Sequence, residues 1–234
     1  MTNTKKASLG GIALLSDLPD KAIDDLNQRC SWRTFQSGEQ ILDRQSDSCD
    51  LYFMVSGRAR VVNYSLSGRE VTFNDREGGA YFGELAALDG EPRSANVVAL
   101  DDSVVAILSQ EGFHEMLMAY PQIPVRILKD LAKIVRISTD RIMDLSTLGA
   151  NNRVHAELLR LAVKNLSDDD TAHISPIPIH GDIASRVSTT RETVARVFSD
   201  LTRERILKRD SDALIILNIK KLTQIVQEVR GEDD

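Results

Sequence analysis

From Ser31 to about Leu108, short apolar runs alternate with turn signals: Ser37-Gly38, Ser56-Gly57, Ser67-Gly68, Gly78-Gly79 and Asp89-Gly90. Many short strands at regular spacing predict an antiparallel β-sandwich or barrel. Within it, Leu51–Val55 and Ala59–Tyr64 flank Ser56-Gly57 as a hairpin would. Upstream, residues from about Ser16 to Cys30 read as an amphipathic helix with Ile23 and Leu26 on one face and Pro19 near its start. Downstream, Glu111–Tyr120 reads as a short helix stopped by Pro121, and a long helix follows from about Pro124 to Leu148. Leu128, Leu131, Val135, Ser138, Ile142 and Leu145 recur along it at alternating spacings of three and four. Such an a/d seam predicts pairing with a second copy through residues 124–148. Ser138, followed by Thr139, interrupts the stripe with hydroxyls. Polar groups in a seam cost stability unless they find partners, and a ligand beside the dimer axis would supply one.

Gly149-Ala150-Asn151-Asn152 breaks the long helix. Asn152–Leu166 is again helical, with Val154, Leu158, Leu159 and Leu161 as its apolar positions, and Ser167–Pro178 reads as a loop. Two helical segments follow, Gly181–Val187 and Thr190 to about Arg205, joined by Ser188-Thr189. Ile206–Asn218 reads as a hairpin turning at Asp210-Ser211-Asp212, and Lys220–Val229 as a terminal helix. Helix, short turn, helix and hairpin describe a winged helix-turn-helix. The fold class is α+β: a β-roll domain over 1–120, a dimerisation helix and hinge over 121–150, and a winged helix-turn-helix domain over 151–234.

Composition narrows the classes. At 234 residues, 42% hydrophobic and 27% charged, the chain fits a globular protein of one large or two ordinary domains. No apolar run nears the ~18 residues of a membrane span, and the polar start (Met1–Gly11) lacks a signal-peptide core. Cys30 and Cys49 make neither a disulfide framework nor a CxxC motif, so a reducing cytoplasm is expected. His114, His155, His173 and His180 show no metal-ligand spacing, and no metal is expected. No nucleophile–base pair points to an enzyme. The net charge is −6, yet Ile183–Arg209 holds seven basic residues (Arg186, Arg191, Arg196, Arg203, Arg205, Lys208, Arg209) against three acidic ones. A basic island in an acidic chain predicts a confined nucleic-acid surface.

Two segments carry chemistry. The first is Phe82-Gly83-Glu84-Leu85-Ala86-Ala87-Leu88-Asp89-Gly90-Glu91-Pro92-Arg93-Ser94-Ala95. An arginine offers a fixed fork of donors to a phosphodiester. A carboxylate accepts the proton of a ribose 2′-hydroxyl, and the amides of a tight turn cradle remaining oxygens. The second is Arg191-Glu192-Thr193-Val194-Ala195-Arg196, opening the second helix of the helix-turn-helix, with Thr190 as its N-cap. Recognition helices present their N-terminal residues to base edges. Arg191 and Arg196 suit guanine O6/N7, Glu192 suits cytosine N4, and Val194 and Val197 face inward.

The cassette at 82–95, the long helix and the winged unit, in this order, resemble the cAMP receptor protein (catabolite activator) superfamily of bacterial regulators, over nearly everything from Leu15 to Val229. The resemblance implies a cyclic-nucleotide-binding β-roll with cAMP as allosteric ligand and cGMP as a possible second. It implies Glu84 as ribose 2′-hydroxyl acceptor and Arg93 as ligand of the cyclic phosphate. Ser94, with backbone from Gly83 to Leu85 and Ala95, completes the cradle, and Phe73 lines the pocket. Ser138 and Thr139 match a hydroxyl pair that meets the adenine, one from each subunit. Arg191, Glu192 and Arg196 match the base-reading residues. It also implies a palindromic DNA site and RNA polymerase as partner. Departures are Gln45 and Ser46, where a glycine is common, and Ser188 in the turn where glycine is usual. Cys30 and Cys49 do not form the N-terminal cysteine cluster of oxygen-sensing relatives.

Overall fold

The computed structural model describes residues 7–163, 165–167 and 170–231. The chain divides into two compact units, 1–133 and 134–234, and the division falls within one long helix.

The first unit opens with two single 3-10 turns, Leu9–Gly11 and Ala13–Leu15, followed by α1 (Asp20–Arg29), which starts directly after Pro19. Two four-stranded antiparallel sheets follow. One has the order β1 (Ser31–Phe35), β8 (Ser103–Leu108), β3 (Leu51–Ser56), β6 (Tyr81–Phe82). The other has the order β2 (Gln40–Leu42), β7 (Asn96–Ala99), β4 (Arg58–Tyr64), β5 (Glu70–Glu77). Between them pack Phe35, Met54, Phe82, Val97 and Val105. The opposite face of the first sheet is also covered: Leu51, Phe53 and Leu108 pack on Leu9, Leu26, α3 (Gln110–Ala119) and the start of α4 (Gln122–Thr147). Successive strand residues face opposite sides, so β3, covered on both, is buried from Leu51 to Met54. That explains its unbroken apolar run.

The hairpin expected between Leu51–Val55 and Ala59–Tyr64 does not form. β3 pairs with β6 and β8, whereas β4 pairs with β5 and β7. Gly57 instead carries the chain from one sheet to the other, at φ +88. A Cβ there would stand 2.3 Å from Ser103 Oγ and 2.6 Å from the Asp102 carbonyl, so only glycine fits.

The second unit holds the rest of α4, then α5 (Ala150–Val163), α6 (His180–Arg186), α7 (Arg191–Arg203) and α8 (Ile219–Arg230). Its sheet has the order β10 (Leu207–Arg209), β11 (Leu214–Ile216), β9 (Ala172–Ile174). The expected wing hairpin is thus present, but part of the expected loop 167–178 is a strand. Ala172 and Ile174 are buried opposite Ile216 and Leu214. Three residues are too few for alternation to register in sequence; the neighbouring strand supplies the order. Residues 168–169 of that loop lie outside the described residues.

Among the described residues of this unit two charged groups are buried, Asp144 on α4 and Glu157 on α5. Asp144 pairs with Arg160 and, at 2.7 Å, with Arg230 of α8. Glu157 accepts from Arg160 at 3.0 Å and lies 3.8 Å from Arg141 and 3.7 Å from Arg186. The network ties the end of α4 to three helices of this unit, α5, α6 and α8. Along α4, Leu128, Val135 and Ile142 are 64%, 64% and 62% exposed, whereas Leu131 is partly buried against the core of the first unit.

Removing one member of a buried ion network leaves its partners charged and unpaired. Glu157→Ala should therefore cost about 3–5 kcal/mol, read as a lowered urea midpoint for the second unit with an unchanged slope.

Candidate anion pocket and nucleic-acid interface

β6 ends at Phe82, and Gly83 turns the chain at φ +83 into α2 (Glu84–Asp89). A Cβ at Gly83 would lie 2.8 Å from Arg93 Nη1 and 3.2 Å from the Asp50 carbonyl. The glycine exists to let Arg93 in. Arg93 is 3% exposed. Its Nη1 donates to the Gly83 carbonyl at 2.9 Å, and its Nη2 to the Asp50 carbonyl at 2.8 Å and Ser48 Oγ at 3.0 Å. The guanidinium lies over the Tyr52 ring, 5.4 Å from its centroid, and Tyr52 stacks on Phe82. Arg93 Nε is buried with no acceptor.

Glu84, 6% exposed, sits beside it. Burial raises its carboxyl above the ordinary range, and Asp130 adds to that; its own amide, Arg76 and Arg93 pull the other way without prevailing. Arg76 Nη2 is 3.9 Å from Glu84 Oε1, and Arg76 Nε is likewise buried without an acceptor. The first amides of α2 have no intrahelical partner, as at any helix start. Buried unmatched donors are costly in isolation, and together with a desolvated carboxylate they fit a ligand carrying one anionic group and one hydroxyl.

The structure thus brings Gly83, Glu84 and Arg93 together. Leu85 is exposed on α2, Ala95 is buried, and Ser94 is exposed, its carbonyl accepting from Asn63 at 3.0 Å. Phe73 sits at a bulge in β5 and is exposed. Ser138 and Thr139 are exposed on the part of α4 that belongs to the second unit, and Thr139 Oγ1 donates to the Val135 carbonyl at 3.0 Å. Sequence reasoning missed Ser48, Asp50, Tyr52 and Arg76. They come from the 43–50 loop, β3 and β5, distant in sequence, and no local spacing marks them. Among the described residues no group of three or more His, Cys, Asp or Glu is gathered as a metal ion requires, and no helix is long and apolar enough to cross a membrane.

In the second unit, α6 and α7 meet at a tight turn. Ser188 takes φ +53, the left-handed conformation that glycine adopts at less cost. Arg153 of α5 steadies this turn, donating to the Val187 carbonyl at 2.8 Å and the Ser188 carbonyl at 3.1 Å. Thr190 caps α7, its Oγ1 accepting from the Thr193 amide at 3.2 Å. Val194 and Val197 are buried, while Arg191, Glu192 and Arg196 are exposed or partly exposed. The Glu192 carboxyl is held below the usual range by its own amide and by Thr190, so it is an acceptor. Gly181 of α6 lets the Arg191 side chain lie close, since a Cβ there would be 3.0 Å from Arg191 Nε. Arg196 reaches Asn151 at 3.3 Å.

A pocket of this donor set and a helix-turn-helix with its polar edge exposed define a ligand-binding transcription regulator. Residues 32–120 match the family model of the cyclic nucleotide-binding domain and residues 152–225 that of the Crp-like helix-turn-helix domain. The chain belongs to the CRP/FNR family of transcription regulators. It is 28% identical over 198 residues to the cyclic AMP receptor protein of Thermus thermophilus, covering 85% of this chain and 89% of that protein. It is 23% identical over 201 residues to the cAMP-activated global transcriptional regulator CRP of Salmonella typhimurium, covering 84% and 94%. The solved structure of a CooA mutant from Carboxydothermus hydrogenoformans shares the fold, with a TM-score of 0.77 at 19% identity over 87% of this chain and 90% of that one.

A carboxyl whose value is raised on folding binds its proton more tightly in the native state, so stability falls as pH rises from the ordinary glutamate range to the raised value. Glu84→Gln should melt above the wild type at neutral pH. The difference should close as the pH falls below about 4.3, the unperturbed glutamate value. Thermal melts across that range check it.

Proposed function

We propose that the protein is a homodimeric transcription regulator that binds a palindromic DNA site when cAMP occupies the pocket at Glu84 and Arg93, and that it has no enzymatic activity. The observation that carries this reading is Arg93: buried, seated by Gly83, and left with one donor unmatched beside a buried carboxylate. The cyclic phosphate takes the arginine and the α2 amides, with Leu85, Ser94 and Ala95 closing the cradle and Phe73 against the ligand. Glu84 accepts the ribose 2′-hydroxyl.

The purine contacts fall to Ser138 and Thr139. The Thr139 hydroxyl already donates to Val135. With its one proton spent it can only accept, which suits the exocyclic amino group of a purine. The similarity to relatives named for cAMP favours cAMP as the activator, with cGMP as a possible second ligand. The exposed stripe at Leu128, Val135 and Ile142 supports pairing through residues 124–148. Two-fold symmetry then sets half-sites about 34 Å apart. At each, Arg191, Glu192 and Arg196 read bases, and Thr190 and the Ser188 turn meet the backbone. cAMP acts by population shift, because it binds the DNA-competent state more tightly. RNA polymerase is the partner that turns occupancy into transcription, in the cytoplasm.

A second reading rests on a specific observation. Three of Arg93's donor contacts are already satisfied by Gly83, Asp50 and Ser48, as a pocket that works without ligand would have them. Fluorescence anisotropy with a palindromic DNA pool at fixed salt separates the two. Specific binding only with cAMP supports the switch. Equal binding with no ligand, cAMP or cGMP supports the second reading.

Each bond from Arg93 to a phosphate is charge-assisted and worth about 1.5–3 kcal/mol. Arg93→Ala should lower cAMP affinity by orders of magnitude in a calorimetric titration; wild-type affinity would remove Arg93 from the site. Arg191→Ala should keep cAMP affinity and lose ~1–3 kcal/mol of discrimination at one G·C pair, seen in competition between matched and mismatched DNA.

A further inference from the structure

Arg76 lies near the end of β5, opposite Ala59, and belongs to no motif of the sequence. Its Nη2 is 3.9 Å from Glu84 Oε1, beyond a hydrogen bond and well within the range of a strong charge interaction, with both side chains largely buried. Its Nε–H is buried and lacks an acceptor. Three charged groups bear on Glu84: Arg76 from β5, Arg93 from the segment after α2, and Asp130 from α4. Asp130 also accepts from the Tyr81 hydroxyl of β6 at 2.8 Å.

The two arginines are not equivalent. Arg93 is committed to Gly83, Ser48 and Asp50 through its Nη atoms, and a bound cyclic phosphate would take a further share of its charge. A ligand would also strip Glu84 of what water it still meets. A desolvated carboxylate needs a counter-charge that stays with it, and Arg76 is the cation left to do this.

We propose that Arg76 is a positioning residue of the ribose subsite: it holds the Glu84 carboxylate in place to accept the ligand's 2′-hydroxyl, and thereby sets the preference for ribonucleotide over deoxyribonucleotide ligands. The inference rests on the reading of Glu84 as the 2′-hydroxyl acceptor. Arg76 itself touches no ligand in this role. Its effect is confined to the strength of one hydrogen bond, which is stronger to an ionised acceptor than to a neutral one.

The test is calorimetric titration of the full chain with 3′,5′-cyclic AMP and with its 2′-deoxy analogue, on the wild type, Arg76→Ala, Arg76→Lys and Glu84→Ala. The wild type should prefer the ribose form by about 10- to 100-fold, the size of one charge-assisted hydrogen bond. Arg76→Ala should lose most of that ratio by weakening the ribose form, with the deoxy analogue binding nearly as before, and Arg76→Lys should keep most of it. In Arg76→Ala the decline of ribose-form affinity on acidification should also begin at higher pH, because the carboxylate has lost a cation. An unchanged ratio in Arg76→Ala, with Glu84→Ala losing it, overturns the inference and spares the Glu84 reading. Equal weakening of both ligands in Arg76→Ala would make the arginine a support of the pocket alone and overturns it too. No preference in the wild type overturns both.

Discussion

A guanidinium cannot shed its charge, and burying one demands acceptors in a planar fork. Most of the first unit's local geometry answers that demand at Arg93. The acceptors come from two places in the chain: the Ser48 hydroxyl and Asp50 carbonyl at the entry to β3, and the Gly83 carbonyl at the exit from β6. The aromatic face beneath comes from Tyr52, fixed by its stack on Phe82. Each strand must hold its register for these groups to converge, and Gly83 must lack a side chain. The cassette is therefore less a loop that happens to bind than the knot in which β3, β6 and α2 are tied.

The division between what the sequence told and what it hid follows contact distance. Elements with strong local signals were legible: the glycine-punctuated strands, the long helix, the Thr190 cap and the inward valines of α7. The pairing of β3 with β8 instead of β4 was not, because a turn residue looks the same whether the chain folds back in one sheet or crosses to another. Here the strand pairings and the crowding of Gly57 against Asp102 and Ser103 show the crossing. In the site, Glu84 and Arg93 announced themselves by spacing. Tyr52, Ser48 and Arg76 serve the same pocket from far along the chain, and their neighbours in sequence carry no trace of it.

The second unit uses arginine for two opposed purposes. Arg191 and Arg196 stand at the surface of α7, whereas Arg153 is spent on turn carbonyls, and Arg160 and Arg186 on buried carboxylates. The basic island counted along the sequence therefore overstates the charge offered to DNA. Arg186 faces Glu157 with only 14% of its side chain exposed, and Arg203 is paired with Asp200 at 2.7 Å. Charge held inside is screened little by salt, and charge on the surface is screened strongly. The scaffold that aims α7 accordingly stays intact under ionic conditions that weaken its hold on a phosphate backbone.

The chain's two thiols differ in the same manner. Cys30 is buried, and desolvation pushes it up to about 11, which leaves it nearly all thiol and a poor nucleophile at neutral pH. Cys49 is partly exposed and lies in sequence between Ser48 and Asp50, the two residues that hold Arg93 Nη2. The unmodified protein thus carries one addressable thiol, adjacent in sequence to two of the groups that hold the arginine. A small environment-sensitive fluorophore attached there would turn pocket occupancy into an optical signal without any engineered cysteine.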